Sequence, residues 1–298
     1  MSSIAISPAA LVAAIKAADM ILGNGAEWDP VNVVQQEWLE SYYRPLAELV
    51  GEVPGIAAHA TTVPRAHVDF LAQHGWEAQI STVPPNGFLT AAILDVLVRW
   101  LEIGERTRIH VRGIGSFDAF LLKEGVKIYR LSQDGGDFFG CGASTSECVF
   151  EMKTQSGDRI LIAELPEDVP VPTDSFSLMG LVDSRLRQRA VGSGDSCDSL
   201  ELPMVHLQTK AELPQLVGLS SGNHFIGQVC QQAELKMNQE GARARAAVEV
   251  CVLECCSSAG CVITHPFLIS IERSVGQKSI PVFCAYVDYG SWKNPGDL

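Results

Sequence analysis

Long apolar runs, basic clusters and N-glycosylation acceptors are all missing from this sequence. No stretch of about 18 uncharged apolar residues occurs, so the sequence predicts no membrane-spanning helix. Lys and Arg together number 22 against 35 Asp and Glu, and no basic cluster is longer than a few residues. Because phosphate binding needs a basic face, we expect no nucleic-acid partner.

The cysteines do not follow the pattern of a disulfide framework. There are nine, which is an odd number, and two of them are adjacent. No basic region precedes an apolar core at the start of the sequence, and no Asn-x-Ser/Thr acceptor occurs. We therefore expect a reduced, cytoplasmic protein, although a signal peptide in a longer chain would make it a secreted one.

Length and hydrophobic content are sufficient for a substantial core. The chain has 298 residues, of which 47% are hydrophobic. Helical patterns dominate the first part, and short strands separated by Gly, Asp and Ser turns follow from about residue 109 to 165 and again after residue 202. The length allows one large or two ordinary domains, and the mixture of helical and strand patterns is typical of an α+β fold.

Four helices are predicted. The first opens at Ser7-Pro8 and extends to about residue 22, because Pro is tolerated in a first helical turn. The second covers residues 33–43 and stops before Pro45. The others cover residues 64–75 and 178–187.

Residues 90–101 are ambiguous between helix and strand. Their length favours a helix, whereas the uninterrupted run Val96-Leu97-Val98 suits a strand that is buried on both faces. Periodicity does not decide between the two.

Residues 238–250 give two conflicting signals. Their Ala, Glu and Arg content favours a helix, with Gly241 the one strong objection. Their periodicity is that of a strand, because small or apolar residues alternate with charged ones. The small or apolar positions are Ala242, Ala244, Ala246, Val248 and Val250, and the charged ones are Arg243, Arg245 and Glu249.

A hydrolase motif occurs between residues 218 and 222. Gly218-Leu219-Ser220-Ser221-Gly222 fits the G-x-S-x-G nucleophile elbow, with His224 and His265 as candidate bases. The elbow requires a strand before it and a helix after it, whereas Pro214 precedes the motif closely. An ordinary surface turn is the favoured interpretation, and no enzyme activity is expected.

A second cluster contains possible zinc ligands, namely Cys251, Cys255, Cys256, Cys261 and His265. Their spacings differ from the C-x2-C pairs of structural zinc sites, so loop thiols without a metal are favoured and no metal or cofactor is expected. Exposed thiols at Cys255-Cys256 would be oxidisable, which makes a redox-sensitive bait a further hypothesis.

Several segments together resemble the serpins, which inhibit serine and sometimes cysteine proteases by presenting a reactive loop. Asn238-Gln239-Glu240-Gly241 and the Ala-rich run after it resemble the serpin hinge. Further similar segments are Ile4-Ala5-Ile6-Ser7-Pro8, Ile162-Ala163-Glu164-Leu165-Pro166, the strand from His224 to Gln231, and His265-Pro266-Phe267-Leu268-Ile269.

The resemblance implies a single α+β serpin-like domain over residues 1–298, with a large, mostly antiparallel central sheet, accessory sheets, surrounding helices and an exposed reactive loop at about residues 241–260. It places the scissile bond at Cys255-Cys256, or one residue earlier at Glu254-Cys255. It also implies a sheet-opening region that includes Ser7 and Gln231. The implied hinge residues are Gln239, Glu240, Gly241, Ala242, Ala244, Ala246 and Val248.

The implied function is suicide inhibition of a serine or cysteine protease by a monomer. The protease cleaves the loop, forms an acyl-enzyme and is trapped when the loop inserts into the central sheet. The small alternating side chains suit burial beneath such a sheet. Three positions depart from the family pattern, which has Glu at Gln239, Thr at Ala242 and His at Gln231. A non-inhibitory binding or decoy protein is the alternative.

Overall fold

The computed structural model describes residues 2–23, 25–83, 85–130, 148–166, 168–188, 190, 194–245, 261–276 and 278–298. Its α-helices are α1 (Pro8–Lys16), α2 (Asp19–Leu22), α3 (Val33–Trp38), α4 (Arg44–Ala47), α5 (Pro64–Gln73) and α6 (Ser175–Val182). Two π-helical turns, Leu39–Tyr43 and Asp183–Arg187, extend α3 and α6. No helix among these residues is long and apolar enough to cross a membrane.

The predicted helical regions all contain helix, but their ends differ. The prediction that the second helix stops before Pro45 is wrong, because the chain passes through the π turn and continues as α4 to Ala47. Pro45 lies in the first turn of α4, where a missing N–H costs little. α6 begins earlier than predicted, because the Asp174 carboxylate accepts hydrogen bonds from the N–H groups of Phe176 and Ser177.

The strands in chain order are β1 (Ile4–Ile6), β2 (Ile56–Thr61), β3 (Leu89–Arg99), β4 (Glu105–Val111), β5 (Gly115–Leu122), β6 (Val126–Arg130), β7 (Cys148–Lys153), β8 (Arg159–Glu164), β9 (Asp195–Ser196), β10 (Leu200–Pro203), β11 (Val205–Glu212), β12 (Ser220–Ser221), β13 (His224–Phe225), β14 (Cys230–Asn238), β15 (Gly241–Arg245), β16 (Cys261–Val262), β17 (Phe267–Val275) and β18 (Lys278–Val287).

Within the described ranges these strands form three larger sheets and one two-stranded ribbon. A seven-stranded antiparallel sheet has the order β1-β18-β17-β8-β7-β6-β9, and a four-stranded sheet has the order β16-β10-β5-β4. The third sheet, named the hinge sheet here, has the order β11-β14-β15-β3-β2 and is antiparallel throughout. The predicted α+β class with mostly antiparallel sheets is confirmed.

The ambiguous segment 90–101 is resolved as a strand. Leu89–Arg99 forms β3, which pairs with β2 on one side and with β15 on the other. Its alternate residues Val96 and Val98 are 1% and 0% exposed, whereas Leu97 between them is partly exposed. Pairing on both edges supplies the hydrogen bonds that a helix would have made within itself.

The start of the expected reactive loop also differs from the prediction. An exposed loop was expected from about Gly241, but Gly241–Arg245 is strand β15 inside the hinge sheet. The physical reason is the alternation itself, since Ala242 and Ala244 are both completely buried on one face. The strand interpretation of this stretch, rather than the helical one, therefore describes residues 241–245.

One contiguous core connects these sheets in the described part of the chain. α1 packs against both β3 and β18, so it lies between the hinge sheet and the seven-stranded sheet. The buried apolar residues of all three larger sheets belong to the same cluster. The assignment of residues 1–298 to a single domain stays a prediction.

Candidate functional site: the hinge and its surroundings

The hinge strand β15 is hydrogen-bonded on both sides. Ala242 lies opposite Met237 of β14 and Val98 of β3, and Ala244 lies opposite Leu235 and Val96 in the same way. All of these side chains face the core and are almost fully buried. Because facing positions across the sheet are occupied by larger apolar residues, only a small side chain fits between them. The sequence-predicted alternation therefore matches the observed packing.

Gly241 is required by a close backbone approach. A Cβ atom at this position would lie 2.1 Å from the carbonyl oxygen of Val98, far inside van der Waals contact. Any other residue here would push β15 away from β3. The serpin-like Gly of the hinge thus has a steric reason in this chain.

The turn that joins β14 to β15 is held by buried hydrogen bonds. The Trp100 indole N–H donates to the Asn238 carbonyl at 2.9 Å, and the Glu240 N–H donates to Asn238 Oδ1 at 2.9 Å. Arg99 Nη1 lies 3.0 Å from Glu240 Oε2. These contacts fix the direction in which the hinge enters the sheet.

Gln239 is completely buried in this turn. Its side-chain oxygen accepts a hydrogen bond from Arg106 Nε at 3.3 Å, and its backbone carbonyl accepts one from the Gly104 N–H at 2.6 Å. Its Nε2 atom has no hydrogen-bond partner. A glutamate here would have no unsatisfied N–H, and its carboxylate would keep the contact with Arg106 through the oxygen that already accepts from Nε.

The outer face of the hinge strand carries an ion pair that the sequence did not indicate. Arg243 binds Asp95 of β3 through two parallel hydrogen bonds, Nε to Oδ1 and Nη2 to Oδ2, each 3.1 Å long. Such a bidentate pair fixes the relative orientation of the two side chains in addition to the attraction between their charges. Sequence reasoning had placed Arg243 on the outer face, but the partner lies about 150 positions away and could not be found from local spacing.

Residues 296–298 cross the same outer face. Lys236 Nζ donates to the Asp297 carbonyl at 3.5 Å, and Asn238 Nδ2 donates to the Gly296 carbonyl at 3.1 Å. Arg243 Nη1 donates to the Leu298 carbonyl at 3.5 Å. Leu298 is completely buried. This segment therefore covers β14 and β15 on the face opposite the core, a contact that no sequence pattern indicated.

The two residues of the expected sheet-opening region meet each other. The Ser7 N–H donates to Gln231 Oε1 at 3.1 Å, and Gln231 Nε2 donates to the Ala5 carbonyl at 3.1 Å. Ser7 also caps α1 by accepting from the Ala10 N–H, and its hydroxyl donates to the Val282 carbonyl at 2.7 Å. Gln231 thus ties β14 to the start of α1. Their assigned role in sheet opening stays a prediction.

The described part of β15 ends beside strands that continue. Arg245 lies opposite Glu234 of β14 and Asp95 of β3, whereas β14 extends to Cys230 and β3 to Leu89. The remaining predicted hinge positions, Ala246 and Val248, lie outside the described residues. So do the candidate reactive-bond residues Glu254, Cys255 and Cys256.

The far end of the predicted loop enters a different sheet. Cys261–Val262 forms β16, which pairs in parallel with Leu200 and Glu201 of β10. Two backbone hydrogen bonds hold it, from the Cys261 N–H to the Ser199 carbonyl at 3.0 Å and from the Ile263 N–H to the Glu201 carbonyl at 2.9 Å. β16 is thus a short edge strand.

The G-x-S-x-G segment is a hairpin rather than a nucleophile elbow. Ser220–Ser221 forms β12 and pairs with β13, so no helix follows the serine. His265 lies elsewhere, with its Nδ1 3.6 Å from Glu164 Oε1. The geometry of a hydrolase elbow is therefore absent from this described segment.

The structure describes only some of the possible zinc ligands. Cys251, Cys255 and Cys256 lie outside the described residues. Among the residues that are described, no group of three or more His, Cys, Asp and Glu side chains has the arrangement of a metal site. Near the hinge, burial raises the pKa of the Cys230 thiol, with a smaller contribution from Glu212.

Comparison with solved structures identifies the fold. Serpin48 of the insect Tenebrio molitor gives a TM-score of 0.56 at 11% identity, covering 96% of this chain and 92% of that one. The mouse protein-Z dependent protease inhibitor gives 0.53 at 12%, covering 96% and 91%. Human thyroxine-binding globulin gives 0.51 at 11%, covering 96% and 91%. No family model and no curated protein sequence matches the chain.

The chain therefore has the serpin fold. Among the similar structures, one is named a protease inhibitor and another a thyroxine-binding globulin. The fold by itself accordingly does not select between inhibition and ligand binding. That choice depends on what the hinge and the loop can do.

Proposed function

We propose that this protein inhibits a serine or cysteine protease by inserting its cleaved reactive loop into the hinge sheet. The single observation that carries the proposal is β15. Its five residues already occupy a strand position between β14 and β3, with Ala242 and Ala244 buried on the core face. A segment that enters a sheet in this way supplies the first step of strand addition.

The register of β15 supports further insertion after cleavage. If the ladder continued unchanged, Ala246 would meet Ala233 and Leu94, which are 5% and 3% exposed. Val248 would meet Gln231, the residue that bonds Ser7. Small side chains would thus continue to face the core, and the advancing strand would pass the Ser7–Gln231 contact.

The candidate cleavage site defines a class of target. With Cys255 or Glu254 before the cut, the loop would not suit a protease whose specificity pocket requires Arg or Lys. Proteases that prefer small, apolar or acidic residues are the proposed partners. We further propose that the protein acts as a monomer in a reducing compartment.

The test is a screen of such proteases for adducts that survive denaturing electrophoresis, combined with the variant Ala246→Arg, at the first core-facing position that continued insertion would bury. A buried arginine would oppose insertion, so the variant is expected to be cleaved as a substrate without trapping the protease. The matched control is Ala58→Arg, which places the same change at an exposed position of β2. The control is expected to trap like the parent protein.

A binding or decoy role is the second candidate. It is favoured by the hinge itself, because β15 is already bonded on both sides and less insertion remains to drive trapping. In that case the loop would be cleaved by proteases without adduct formation and without a rise in melting temperature. If the parent protein traps a protease and Ala246→Arg traps it equally well, the insertion mechanism is contradicted.

A further inference from the structure

Two cysteines meet at the point where the predicted reactive loop rejoins the body. Cys197 lies just before β10, and Cys261 is the first residue of β16. The Cys197 thiol donates to the Ser199 carbonyl at 3.2 Å, and the Cys261 N–H donates to the same carbonyl at 3.0 Å. The two thiols are in hydrogen-bonding contact with each other. Strand pairing between β10 and β16 maintains this arrangement.

The two thiols differ in solvent access. Cys197 is only 8% exposed, whereas Cys261 is partly exposed. The hydrogen bond to Cys261 is the main cause that raises the pKa of Cys197, and burial adds to it. The Cys197 proton is thus available to stabilise a thiolate on Cys261. This places the nucleophile at the accessible position and the resolving thiol behind it.

We propose that Cys197 and Cys261 form a reversible disulfide that covalently ties the end of the reactive loop to the body of the protein. The oxidant is a small-molecule disulfide such as oxidised glutathione. The cysteines in the described ranges are all thiols rather than disulfides, so the structure represents the reduced state. The proposal does not depend on whether the loop inhibits a protease.

The reaction is two successive thiol–disulfide exchanges. The Cys261 thiolate attacks one sulfur of the small disulfide, so a mixed disulfide forms and one small thiol leaves with a proton. The Cys197 sulfur, after losing its proton, then attacks the Cys261 sulfur and releases the second small thiol. Two protein thiols are oxidised to one disulfide, and one small disulfide is reduced to two thiols.

The bond would reinforce a weak connection. β16 is an edge strand of two residues, joined to β10 only by the parallel pairs at Leu200 and Glu201 in the described structure. The disulfide would close a loop of about 60 residues, which restricts the unfolded chain. It would also keep the two fragments together after any single cut between Cys197 and Cys261.

The test uses the full chain in which the neighbouring loop thiols are removed as Cys251→Ser, Cys255→Ser and Cys256→Ser. This protein is oxidised with glutathione disulfide, nicked once between residues 246 and 260, and run on a denaturing gel without reductant. The fragments are expected to stay joined and to separate when reductant is added. Peptide mapping of the same sample is expected to show Cys197 linked to Cys261.

Two matched variants sharpen the result. In Cys197→Ser, Cys261 is expected to stop at the mixed disulfide, and the nicked fragments should separate without reductant. In Cys230→Ser, a thiol outside the pair is removed and the fragments should remain joined. Oxidised parent protein should melt about 5 °C or more above its reduced form.

Mapping of the oxidised, otherwise unmutated chain decides the question if a variant fails to fold. Linkage of Cys261 to a cysteine other than Cys197 would overturn the proposal. So would a Cys197 thiol that is still fully alkylatable after oxidation.

Discussion

The two ends of the predicted reactive loop are held very differently. At the start, β15 is bonded to strands on both sides, buries two alanines and is covered by residues 296–298 on its outer face. At the end, β16 is a two-residue parallel strand at a sheet edge. A central antiparallel strand is the more stable arrangement of the two. The proposed insertion would therefore start from a strand that is already paired on both sides, whereas the other end of the predicted loop is attached by a short strand.

The largest expected effect on this contrast comes from Gly241→Ala. The new Cβ would lie 2.1 Å from the Val98 carbonyl, so β15 must shift or leave the sheet. We expect a loss of about 1–3 kcal/mol in the free energy of unfolding and faster amide exchange at Ala242 and Ala244. Denaturant unfolding measures the free energy, and hydrogen exchange measures the protection of the two amides.

The matched control for that change is Gly180→Ala in α6. Nothing lies within 4 Å of the Cβ that it would add. It should therefore leave stability equal or slightly higher. Equal unfolding curves for the two variants would show that the tight approach at Gly241 is unimportant.

The next largest effect is expected from the ion pair on the outer face of the hinge strand. Removing the Arg243–Asp95 pair is expected to cost about 1 kcal/mol or less, because both side chains are partly exposed and water screens the charges. A double-mutant cycle with Arg243→Ala and Asp95→Ala measures the coupling. A coupling energy of zero would show that the ion pair orients the two side chains without adding to the free energy of unfolding.

A smaller change is expected from Gln239→Glu. The substitution removes an unsatisfied buried N–H and places a carboxylate 3.3 Å from Arg106. The cost of burying the charge offsets part of that gain, so we expect a stability increase of no more than about 1 kcal/mol. Thermal unfolding of the variant and the parent protein at low and high salt measures this stability difference. A destabilised variant would show that burial of the charge prevails.

The smallest expected effect is a pH dependence at the outer edge of the hinge sheet. Burial lowers the pKa of His67 in α5, and the neighbouring His59 of β2 lowers it further. The unfolded state therefore binds more protons than the native state near pH 6, so stability falls as pH decreases through about 6.5. His67→Leu should flatten this part of the curve. An unchanged slope in that variant would assign the dependence to other groups.

Some of these features could be predicted from the sequence. Others could not, for physical reasons. The alternation at Ala242 and Ala244 is local, so period-2 patterning indicated a strand and its buried face, although composition favoured a helix and the resemblance placed both residues in an exposed loop. The contact between Arg243 and Asp95 is between distant segments, and single-sequence patterns do not report such pairings. The path of residues 296–298 is likewise set by tertiary packing.

The contact between cysteines was also not predictable from local sequence spacing. Their sequence spacing directed attention to the group between Cys251 and His265, whereas the contact in the structure is between the Cys261 thiol and that of Cys197, which precedes the predicted loop. Residues 90–101 were ambiguous because apolar residues such as Leu97 also occupy the partly exposed face of the strand, which hides the period of two in the sequence. Pairing with β2 and β15 decided their structure.

The most direct test of the central claim compares the intact chain with a chain cut once between residues 246 and 260. If the freed segment continues β15 in register, the cut protein will melt at a much higher temperature. Amides of β14 and β3 beyond the pairs with the described part of β15, at residues 230–233 and 89–94, will become more protected from exchange. Unchanged melting together with unchanged protection would contradict loop insertion.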